Sequence, residues 1–445
     1  MPTIEDIEKL TNTYEKRIQR LKNLEKELET LNTKGFEKEV TEIKKHIKDP
    51  KSLEKIEEDF KDLKIKINEK ENKDRIKKQL DSSPKSPLGY TNFPDELTPY
   101  YINPRLIGKG GFARVFKVNR IKDNAEVAIK IPISRDPSIG KSFIKEIENW
   151  TKLKHNNIVE IFDYNVLPIP YFEMELCDSS LETMIKPMEI DRASWLIFNI
   201  AEGLKYAHNK KIIHRDIKPQ NILLKKGIPK ISDWGLSKLT TENKTSSMVA
   251  FSPVYAAPEH ISKKFGNKDE QTDIWQLGII FYEIVTGKLP FEGDDISEIG
   301  FKIVSEDYIP PSRFNVEAKK VENIIINCLQ KEKEKRYKNI EMLQRELARV
   351  LNIEYKILLT ESQNINNYSK SAYFCGELLL INMKIGEKKD AYKYATNMLK
   401  YAKEDSKEEL KNLCKELEER IENDLDINEK LIQKAEIIMH KTRSN

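Results

Sequence analysis

Hydrophobic residues in the first 80 positions recur at alternating steps of three and four, which places side chains on one face of an α-helix. One stripe spans 7–31, and two shorter stripes span 36–47 and 56–67. Gly35 and the polar stretch 48–52 interrupt the pattern, and such breaks end helices. The pattern predicts a helical hairpin or an array of three helices, with a coiled-coil-like seam in the first stripe.

The pattern changes twice further along the chain. Ser and Pro are frequent at 81–99, which predicts a linker or an extended connection. From about 100 to 185, short runs of β-branched and aromatic residues separated by Gly predict strands. From 190 to 350, long amphipathic runs predict helices. The candidate strands are 101–108, 113–120 and 126–132.

A sheet-rich part followed by a helix-rich part predicts a two-lobed α+β domain, which we place at 100–351. The flanks at 1–80 and 352–445 are all-α in this prediction. Within the C-terminal flank, 386–399 is similar to one tetratricopeptide helix pair. A single degenerate copy is weak support for that repeat, so a plain helical bundle is the favoured interpretation.

Composition narrows the function classes. Lys and Arg number 77 against 73 Asp and Glu, so the formal net charge is +4, without the concentrated basic face of a nucleic-acid binder. No apolar run approaches the about 20 residues that span a bilayer, and the polar, acidic start does not resemble a signal peptide. We therefore expect a cytoplasmic protein with no nucleic-acid partner and no membrane partner. The cysteines form no CxxC pair and predict free thiols: Cys177, Cys328, Cys375 and Cys414.

Two motifs in the strand region suggest phosphate binding. In the turn GKGGFARV, at 108–115, Gly110 and Gly111 lack a Cβ and allow backbone to approach a ligand closely. Because strands are predicted on both sides, the turn favours a flap over phosphates and not a dinucleotide fold. Lys130 closes the apolar run EVAIK and needs a phosphate or a carboxylate, unless its ammonium reaches solvent at the strand end. Glu146, beside the apolar face of a predicted helix, is the candidate carboxylate.

The densest group of chemically useful side chains is the sequence HRDIKPQN, at 214–221, on a loop because a proline interrupts it. Asp216 can accept the proton of an attacking hydroxyl, and Lys218 can neutralise a transferring phosphoryl group. Asn221 can ligate Mg²⁺ through its amide oxygen. The later sequence DWG presents Asp233 as a second candidate metal ligand.

With these motifs the chain resembles the eukaryotic-type protein kinases of the serine/threonine class, from about 100 to 350. The Gly-rich turn, VAIK, HRDIKPQN, DWG, AAPE and TDIWQLG follow one another in the order and spacing of that family. The resemblance implies the two-lobed protein-kinase fold, with a small β-rich N-lobe and a larger helical C-lobe. It also implies transfer of the γ-phosphate of ATP, with Mg²⁺, to Ser and Thr hydroxyls of protein substrates.

The same resemblance implies roles for individual residues. Asp216, Lys218 and Asn221 would be catalytic, with Asp216 as the base, and Asn221 and Asp233 would hold Mg²⁺. Lys130 would bind the α- and β-phosphates. The residues implied to contact the nucleotide or its metal are Gly108, Lys109, Gly110, Gly111, Val115, Ala128, Lys130, Glu146, Met174, Glu175, Cys177, Leu223 and Asp233.

Two further pairings implied by the resemblance would hold the helical lobe together. Glu259, in AAPE, would pair with Arg336. Asp273, in TDIWQLG, would anchor the catalytic loop from its helix.

Three positions depart from the family pattern. Ala113 stands where a third loop glycine is usual, Phe and Ser at 251–252 replace Gly-Thr, and Trp234 replaces Phe. In the family this aromatic belongs to a stack that links the lobes, which here would contain His214, Trp234, Trp150 and an unassigned residue of the strand region, with the two indoles in reach of each other. Because Trp leaves the metal ligand unchanged, we expect an active enzyme. The alternative is a catalytically weak or inactive kinase-like scaffold that binds nucleotide and partners.

Regulation is expected at two places. In the family an Arg in the position of Arg215 receives a phosphate from the segment between DWG and AAPE, so we expect autophosphorylation, favouring 245–247. The alternative is a Ser/Thr-rich loop without regulatory use. The helical flanks are expected to form a homodimer or to bind a partner protein, although they could simply pack on the domain. A small-molecule phosphotransferase is disfavoured, since AAPE and its preceding segment shape a peptide-docking surface in the family.

Overall fold

A computed structural model of the chain describes most of its length. The described residues are 19–31, 33–46, 56, 59, 60, 63, 66, 67, 93–110, 113–133, 147, 149–165, 169–234, 253–402 and 404–443. Some predictions lie outside them: those for Gly111, Glu146, positions 7–18 of the first stripe, the pair 251–252 and the segment 245–247. The chain divides into two compact units, one formed by 1–86 with 166–169 and the other by 87–165 with 170–445.

The first unit has a hydrophobic core of its own. Residues 19–30 form helix α1, and Glu37–His46 form helix α2. Gly35 lies between them with a φ of 88°, in the left-handed region that favours glycine. The buried core side chains come from all three predicted stripes: Leu21, Leu24, Leu28, Ile43, Ile56, Phe60, Leu63 and Ile67. Amphipathic helices thus bury their apolar faces on one another, while the coiled-coil seam stays a prediction.

The second unit begins with a five-stranded antiparallel sheet in the order β1-β2-β3-β5-β4. Its strands are β1 Tyr101–Lys109, β2 Ala113–Arg120, β3 Glu126–Pro132, β4 Ile161–Asn165 and β5 Tyr171–Glu175. The three strands predicted from the sequence are therefore confirmed. Strand β3 is buried almost throughout because β2 and β5 flank it, which explains its nearly continuous apolar run.

The end of the predicted linker 81–99 is folded where it is described. Phe93 packs edge-on against Phe116 of β2, with ring centroids 5.2 Å apart. Leu97, in a short 3₁₀ turn, is buried. Residues 93–99 therefore pack against the sheet, and the exact domain boundaries stay predictions.

The helical lobe follows the sheet. Its helices are α3 Ile190–Asn209, α4 Pro258–Ile261, α5 Glu270–Thr286, α6 Ile296–Ser305 and α7 Glu322–Cys328. A small sheet in this lobe consists of β6 Ser179–Ser180, β7 Ile222–Lys225 and β8 Ile228–Ile231. Helix α5 is capped by the Asp269 side chain, which accepts from the backbone N–H of Gln271, and ends at Gly287 with a φ of 71°. Because α5 is apolar around most of its circumference, it lies in the centre of the core.

From position 340 onward, the described part of the chain contains the helices α8 Ile340–Asn364, α9 Tyr368–Lys384, α10 Lys388–Met398, α11 Glu404–Glu422 and α12 Glu429–Arg443. Helix α8 continues without a break through positions 351 and 352, where we place the domain boundary. Gly386 turns the chain between α9 and α10 with a φ of 79°. The tetratricopeptide-like interpretation of 386–399 stays a prediction. No helix in the described part of the chain combines the length and apolarity needed to cross a membrane.

The C-terminal helices share one hydrophobic core with the helical lobe. Buried apolar side chains of α3, α5 and α8 to α12 belong to the same cluster, including Leu204, Ile284, Leu351, Leu378 and Met439. The predicted fold class, a two-lobed α+β domain with all-α flanks, is confirmed.

Candidate active site

Three predicted catalytic side chains converge on the loop that precedes β7. Lys218 Nζ lies 2.8 Å from Asp216 Oδ2. Asn221 Nδ2 donates to the Asp216 carbonyl at 2.8 Å and to Asp216 Oδ2 at 3.2 Å. The amide oxygen of Asn221 is therefore the atom left to ligate a cation. A 3₁₀ turn at Pro219–Asn221 brings these residues together although they are spread over six positions.

The loop is anchored from below by Asp273, in the first turn of α5, as predicted. Its carboxylate accepts from the backbone N–H of His214 at 3.0 Å and of Arg215 at 2.6 Å, and meets His208 Nε2 at 2.8 Å. Burial would raise the pKa of Asp273, but the hydrogen bonds from His208 and the backbone outweigh burial and lower it. These bonds hold Arg215 at a φ of 69°, in the left-handed region.

Gln276, one helical turn after Asp273, gives a second anchor that the sequence analysis missed. Its Oε1 accepts from the backbone N–H of Ile217 at 2.9 Å, and its Nε2 donates to the Arg215 carbonyl at 3.2 Å. The signal was present, because positions three apart on a helix share one face.

Asp233 and Lys130 bring opposite charges together from the two lobes. Lys130 Nζ lies 2.6 Å from Asp233 Oδ1. The Lys130 side chain is 5% exposed and the Asp233 side chain 29%. Burial would raise the pKa of Asp233, but Lys130 outweighs burial and lowers it, so the carboxylate is ionised. Asp233 has a φ of 64°, a conformation uncommon for a non-glycine residue and typical of functional sites.

Ser232 joins the catalytic loop to the segment that carries Asp233. Its backbone N–H and its hydroxyl both donate to the Asn221 carbonyl, at 2.8 and 3.0 Å. Its carbonyl lies 2.8 Å from His214 Nε2. Sequence reasoning did not single out Ser232, since its contribution comes mostly from backbone groups.

Trp234 packs into the core and leaves Asp233 free to face Lys130. The indole is 2% exposed and meets the His214 ring edge-on, with centroids 4.9 Å apart. Trp150 packs instead against Phe172 of β5 at 5.3 Å, and its Nε1 donates to the Val159 carbonyl at 2.7 Å.

The expected ring contact between Trp150 and Trp234 is therefore wrong. Both indoles are described, and no ring contact joins them. Trp150 is instead held by Phe172 and by its own hydrogen bond, which fixes the indole over β5. The predicted stack is thus two separate pairs, with Phe172 as a member that the sequence analysis did not identify.

Strand register brings the predicted nucleotide-contacting residues of the sheet onto one face. Val115 lies opposite Lys130, and Ala128 lies opposite Met174. Directly opposed residues of an antiparallel sheet share a face, as do alternate residues of one strand, so these four side chains point the same way. Leu223, in β7, belongs to the helical lobe and packs against the core.

The described part of the Gly-rich turn is tight. The backbone N–H of Gly110 donates to the Ala113 carbonyl at 2.9 Å. Gly108 lies opposite Val115 in the β1–β2 pair, and Lys109, the last residue of β1, is exposed. A short turn between two strands therefore replaces the strand-to-helix turn of a dinucleotide-binding fold.

The segment after β5 contains Glu175 and Cys177. The Glu175 carboxylate lies 2.8 Å from Lys225 Nζ and 2.9 Å from Lys230 Nζ, two partners that the sequence analysis missed. Burial would raise the pKa of Glu175, but these ammonium groups outweigh burial and lower it. Burial raises the pKa of the Cys177 thiol to about 12, so this half-buried thiol is protonated at neutral pH.

The predicted pairing of Glu259 with Arg336 is confirmed. Arg336 Nη1 lies 2.9 Å from Glu259 Oε1, and both side chains are fully buried. Thr272 donates its hydroxyl to the same carboxylate at 2.8 Å. Burial would raise the pKa of Glu259, but the Arg336 guanidinium outweighs burial and lowers it.

Two basic residues, Arg215 and Lys268, lie near each other at the catalytic loop. Arg215 Nε is buried without a hydrogen-bond partner, and Arg215 Nη2 lies 3.5 Å from the Lys268 carbonyl. Burial, with the nearby Arg215 charge, lowers the pKa of Lys268. A guanidinium nitrogen without a hydrogen-bond partner, with a second cation nearby, is suited to bind an anion.

Comparison with known proteins agrees with this geometry. Residues 101–348, more than half of the chain, match the family model described as the protein kinase domain. The serine/threonine-protein kinase PknB of Mycobacterium tuberculosis is 29% identical over 300 residues, which cover 63% of this chain and 48% of that protein. A "probable serine/threonine-protein kinase" of Clostridium acetobutylicum is 32% identical over 258 residues, covering 55% of this chain and 39% of that protein.

The chain spans only part of the length of these relatives, 48% of PknB and 39% of the Clostridium protein. The region that matches the family model nevertheless contains the sheet, the catalytic loop and the helical lobe described above. The family predicted from the sequence is therefore confirmed, and this chain belongs to the eukaryotic-type serine/threonine protein kinases.

Proposed function

We propose that the chain is a serine/threonine protein kinase, which transfers the γ-phosphate of ATP to Ser and Thr hydroxyls of proteins. The observation that carries this proposal is the ion pair of 2.6 Å between Lys130 and Asp233. This pair connects Lys130 of the sheet to Asp233. The neighbouring Ser232 is in turn hydrogen-bonded to Asn221 of the catalytic loop. Positioning and electrostatic stabilisation are what phosphoryl transfer requires of a protein.

The donor atoms fit a magnesium–nucleotide complex. The Asp233 carboxylate and the Asn221 amide oxygen are hard oxygen donors, which Mg²⁺ prefers. Lys130 supplies an ammonium for phosphate oxygens on the face that also carries Val115 and Ala128. Mg²⁺, when bound, would neutralise charge on the phosphates. The remaining predicted nucleotide contacts, at Gly108 to Gly111, Glu146, Met174, Glu175, Cys177 and Leu223, are part of the same proposal.

Asp216 is proposed as the catalytic base. Its Oδ2 faces Lys218 Nζ and the Asn221 amide, so it can accept the hydroxyl proton of a protein substrate while its orientation is fixed. Lys218 then lies where charge on the transferring phosphoryl group can be offset. The inactive-scaffold alternative is disfavoured, because Trp234 packs against His214 and displaces none of these groups.

Activation by phosphorylation is the second part of the proposal. Arg215, which lies beside Lys268, offers a guanidinium nitrogen without a hydrogen-bond partner, which suits a phosphate from the 245–247 segment. The dimeric or partner-binding role of the flanks and the cytoplasmic location stay predictions from the sequence.

Incorporation of ³²P from ATP into the protein itself and into a generic basic protein tests the function. We expect wild-type incorporation, reduced at least about 10²-fold in Lys130→Ala and Asp216→Ala. Lys388→Ala is the matched control, since it removes a lysine whose partner, Asp424, is on the exposed surface of the C-terminal helices. Nucleotide binding without incorporation in folded wild-type protein would favour the scaffold instead.

A further inference from the structure

A largely buried polar cluster joins the helical lobe to the C-terminal helices. We define it by six residues: Asn199, Glu202, Lys205, Gln344, Lys384 and Glu436. Lys205 Nζ, on α3, lies 2.9 Å from Glu202 Oε2 and 3.1 Å from Gln344 Oε1 of α8. It also donates to the Lys384 carbonyl of α9 at 3.1 Å. Three helices thus meet at one ammonium group.

Lys384 and Glu436 extend the polar cluster to α12. Lys384 Nζ lies 3.0 Å from Glu436 Oε1 and 3.2 Å from Asn199 Oδ1, and its side chain is 8% exposed. Burial would lower the pKa of Lys384, but Glu436 and Glu202 outweigh burial and raise it. Burial would raise the pKa of Glu202, but Lys205 and Lys384 outweigh burial and lower it. Every charge in the polar cluster is therefore compensated, as buried charges require.

Glu436 also contacts the N-lobe side of the catalytic domain. Its second oxygen, Oε2, accepts a hydrogen bond from Asn156 Nδ2. Asn156 belongs to the 154–160 loop, which connects the helical residues around Trp150 to β4. One carboxylate therefore ties Lys384 of α9 to a loop 228 positions earlier in the chain (384 − 156).

The 154–160 loop is bonded to the strand that leads to the metal ligand. The backbone N–H of Ile231 donates to the Asn157 carbonyl at 2.9 Å, and that of Val159 donates to the Ile231 carbonyl at 3.0 Å. Ile231 ends β8, two residues before Asp233. The Val159 carbonyl also accepts from the Trp150 indole. A displacement of this loop would therefore move both the end of β8 and the Trp150 indole.

We propose that Glu436 is a positioning residue for the kinase site, acting through Asn156 and the 154–160 loop. The C-terminal helices hold the loop in register with β8, and β8 presents Asp233 to Lys130. This inference rests on the proposed kinase function for its effect on activity. Its structural half, the coupling of α12 to the loop and to Ile231, stands independently of phosphoryl transfer.

Asn156→Ala in the full chain is the test variant, because Asn156 is exposed and its loss leaves the Lys384–Glu436 pair intact. We expect backbone amide exchange at Val159 and Ile231 to accelerate about two- to tenfold, the range for one lost hydrogen bond. The KM for ATP should rise by a similar factor, with a smaller change in kcat. Glu436→Ala should act in the same direction, and Asn156→Ala should add little in its presence.

The matched control is Lys441→Ala, because Lys441 lies on α12 like Glu436 and its exposed partner is Glu409 of α11. It should leave the KM for ATP and the exchange at Val159 and Ile231 unchanged. Glu436→Gln, which keeps an oxygen acceptor for Asn156, should recover the loop exchange rate relative to Glu436→Ala even if it melts earlier. A purely structural role of Glu436 would give no difference between these two variants in the loop.

The proposal would be overturned if Asn156→Ala left both the amide exchange and the KM for ATP unchanged. It would also be overturned if Asn156→Ala raised the activity, because the contact between Asn156 and Glu436 would then be inhibitory. If wild-type protein transfers no phosphate, the proposed function fails by itself. The exchange measurement and the Kd of a non-hydrolysable ATP analogue then still decide whether α12 positions the loop.

Discussion

The two helical regions that flank the kinase domain both have amphipathic patterns, but their cores differ. Among the residues of 19–67 that the structure describes, the buried side chains are leucines, isoleucines and one phenylalanine, and none is polar. The C-terminal helices bury Gln344, Glu377 and the Lys384 side chain, whose partners include Lys205, Trp195 and Asn199 of α3 in the helical lobe. Amphipathic spacing predicts that a helix will pack, whereas polar residues on its apolar face indicate that its partner is specific.

The largest expected effect tests that specificity at Lys384. In Lys384→Ala, Glu202 and Glu436 each lose a cation, and breaking a buried pair by removing one partner costs about 3–5 kcal/mol. Urea unfolding of the second unit measures the free energy. Lys388→Ala is the control, because its partner Asp424 is exposed and such pairs contribute about 0–1 kcal/mol. Equal losses in the two variants would show that the polar cluster has no special importance.

A second prediction compares the two cores directly. Leu24→Ala, in the first unit, and Leu378→Ala, in α9, both remove a buried leucine and should each cost about 2–5 kcal/mol. Since Leu378 shares its core with the kinase lobe, its loss should lower the temperature at which phosphotransfer ceases. Leu24→Ala should lower a separate calorimetric transition and leave that temperature unchanged. A single transition that shifts equally in both variants would contradict the division into two cores.

The sequence predicted the elements and the catalytic loop well because both depend on local patterns. Strands β1 to β3 follow from short β-branched runs, and Asp216, Lys218 and Asn221 are held together by one short turn. Contacts such as Asn156 with Glu436, 280 positions apart, leave no periodic signal. The same holds for Glu175 with Lys225 and Lys230, since lysines at strand ends are indistinguishable from solvated ones before the fold is known.

The third prediction concerns pH at the junction between the 154–160 loop and α3. His155 stacks on Tyr206 with ring centroids 5.1 Å apart. Burial lowers the pKa of His155 to about 4, Lys384 and Lys205 act in the same direction, and Glu202 and Glu436 oppose them with smaller effects. The unfolded chain takes up its proton near pH 6.5, so between those values the unfolded state binds more protons and stability falls as the pH drops.

Between pH 7 and pH 5 this loss for His155 should be at most about 2 kcal/mol. His260, whose pKa is also lowered to about 4 by burial, contributes a similar slope in the same unit. His155→Gln should therefore remove about half of the dependence measured by urea midpoints at the two pH values. The transition of the first unit serves as the internal reference. A variant that keeps the full slope would show that folding leaves the pKa of His155 near its ordinary value.

The smallest effect is a rate of thiol modification, which reports local opening of the shared core. Burial raises the pKa of Cys177 to about 12, so only about one thiol in ten thousand is ionised at pH 8. Iodoacetamide should label Cys177 slowly, about tenfold faster for each pH unit, and Cys177→Ser should abolish native labelling. Cys375 on α9 is completely buried and should stay unlabelled.

In Lys384→Ala the labelling of Cys375 should appear, because both residues lie on α9 and the helix loses its buried ion pair with α12. Lys388→Ala should not produce it. The first unit contributes no signal, since all four cysteines lie in the second. Rapid labelling of Cys375 in the wild type would mean that the C-terminal helices open freely, and the contrast between a self-contained and a shared core would then be lost.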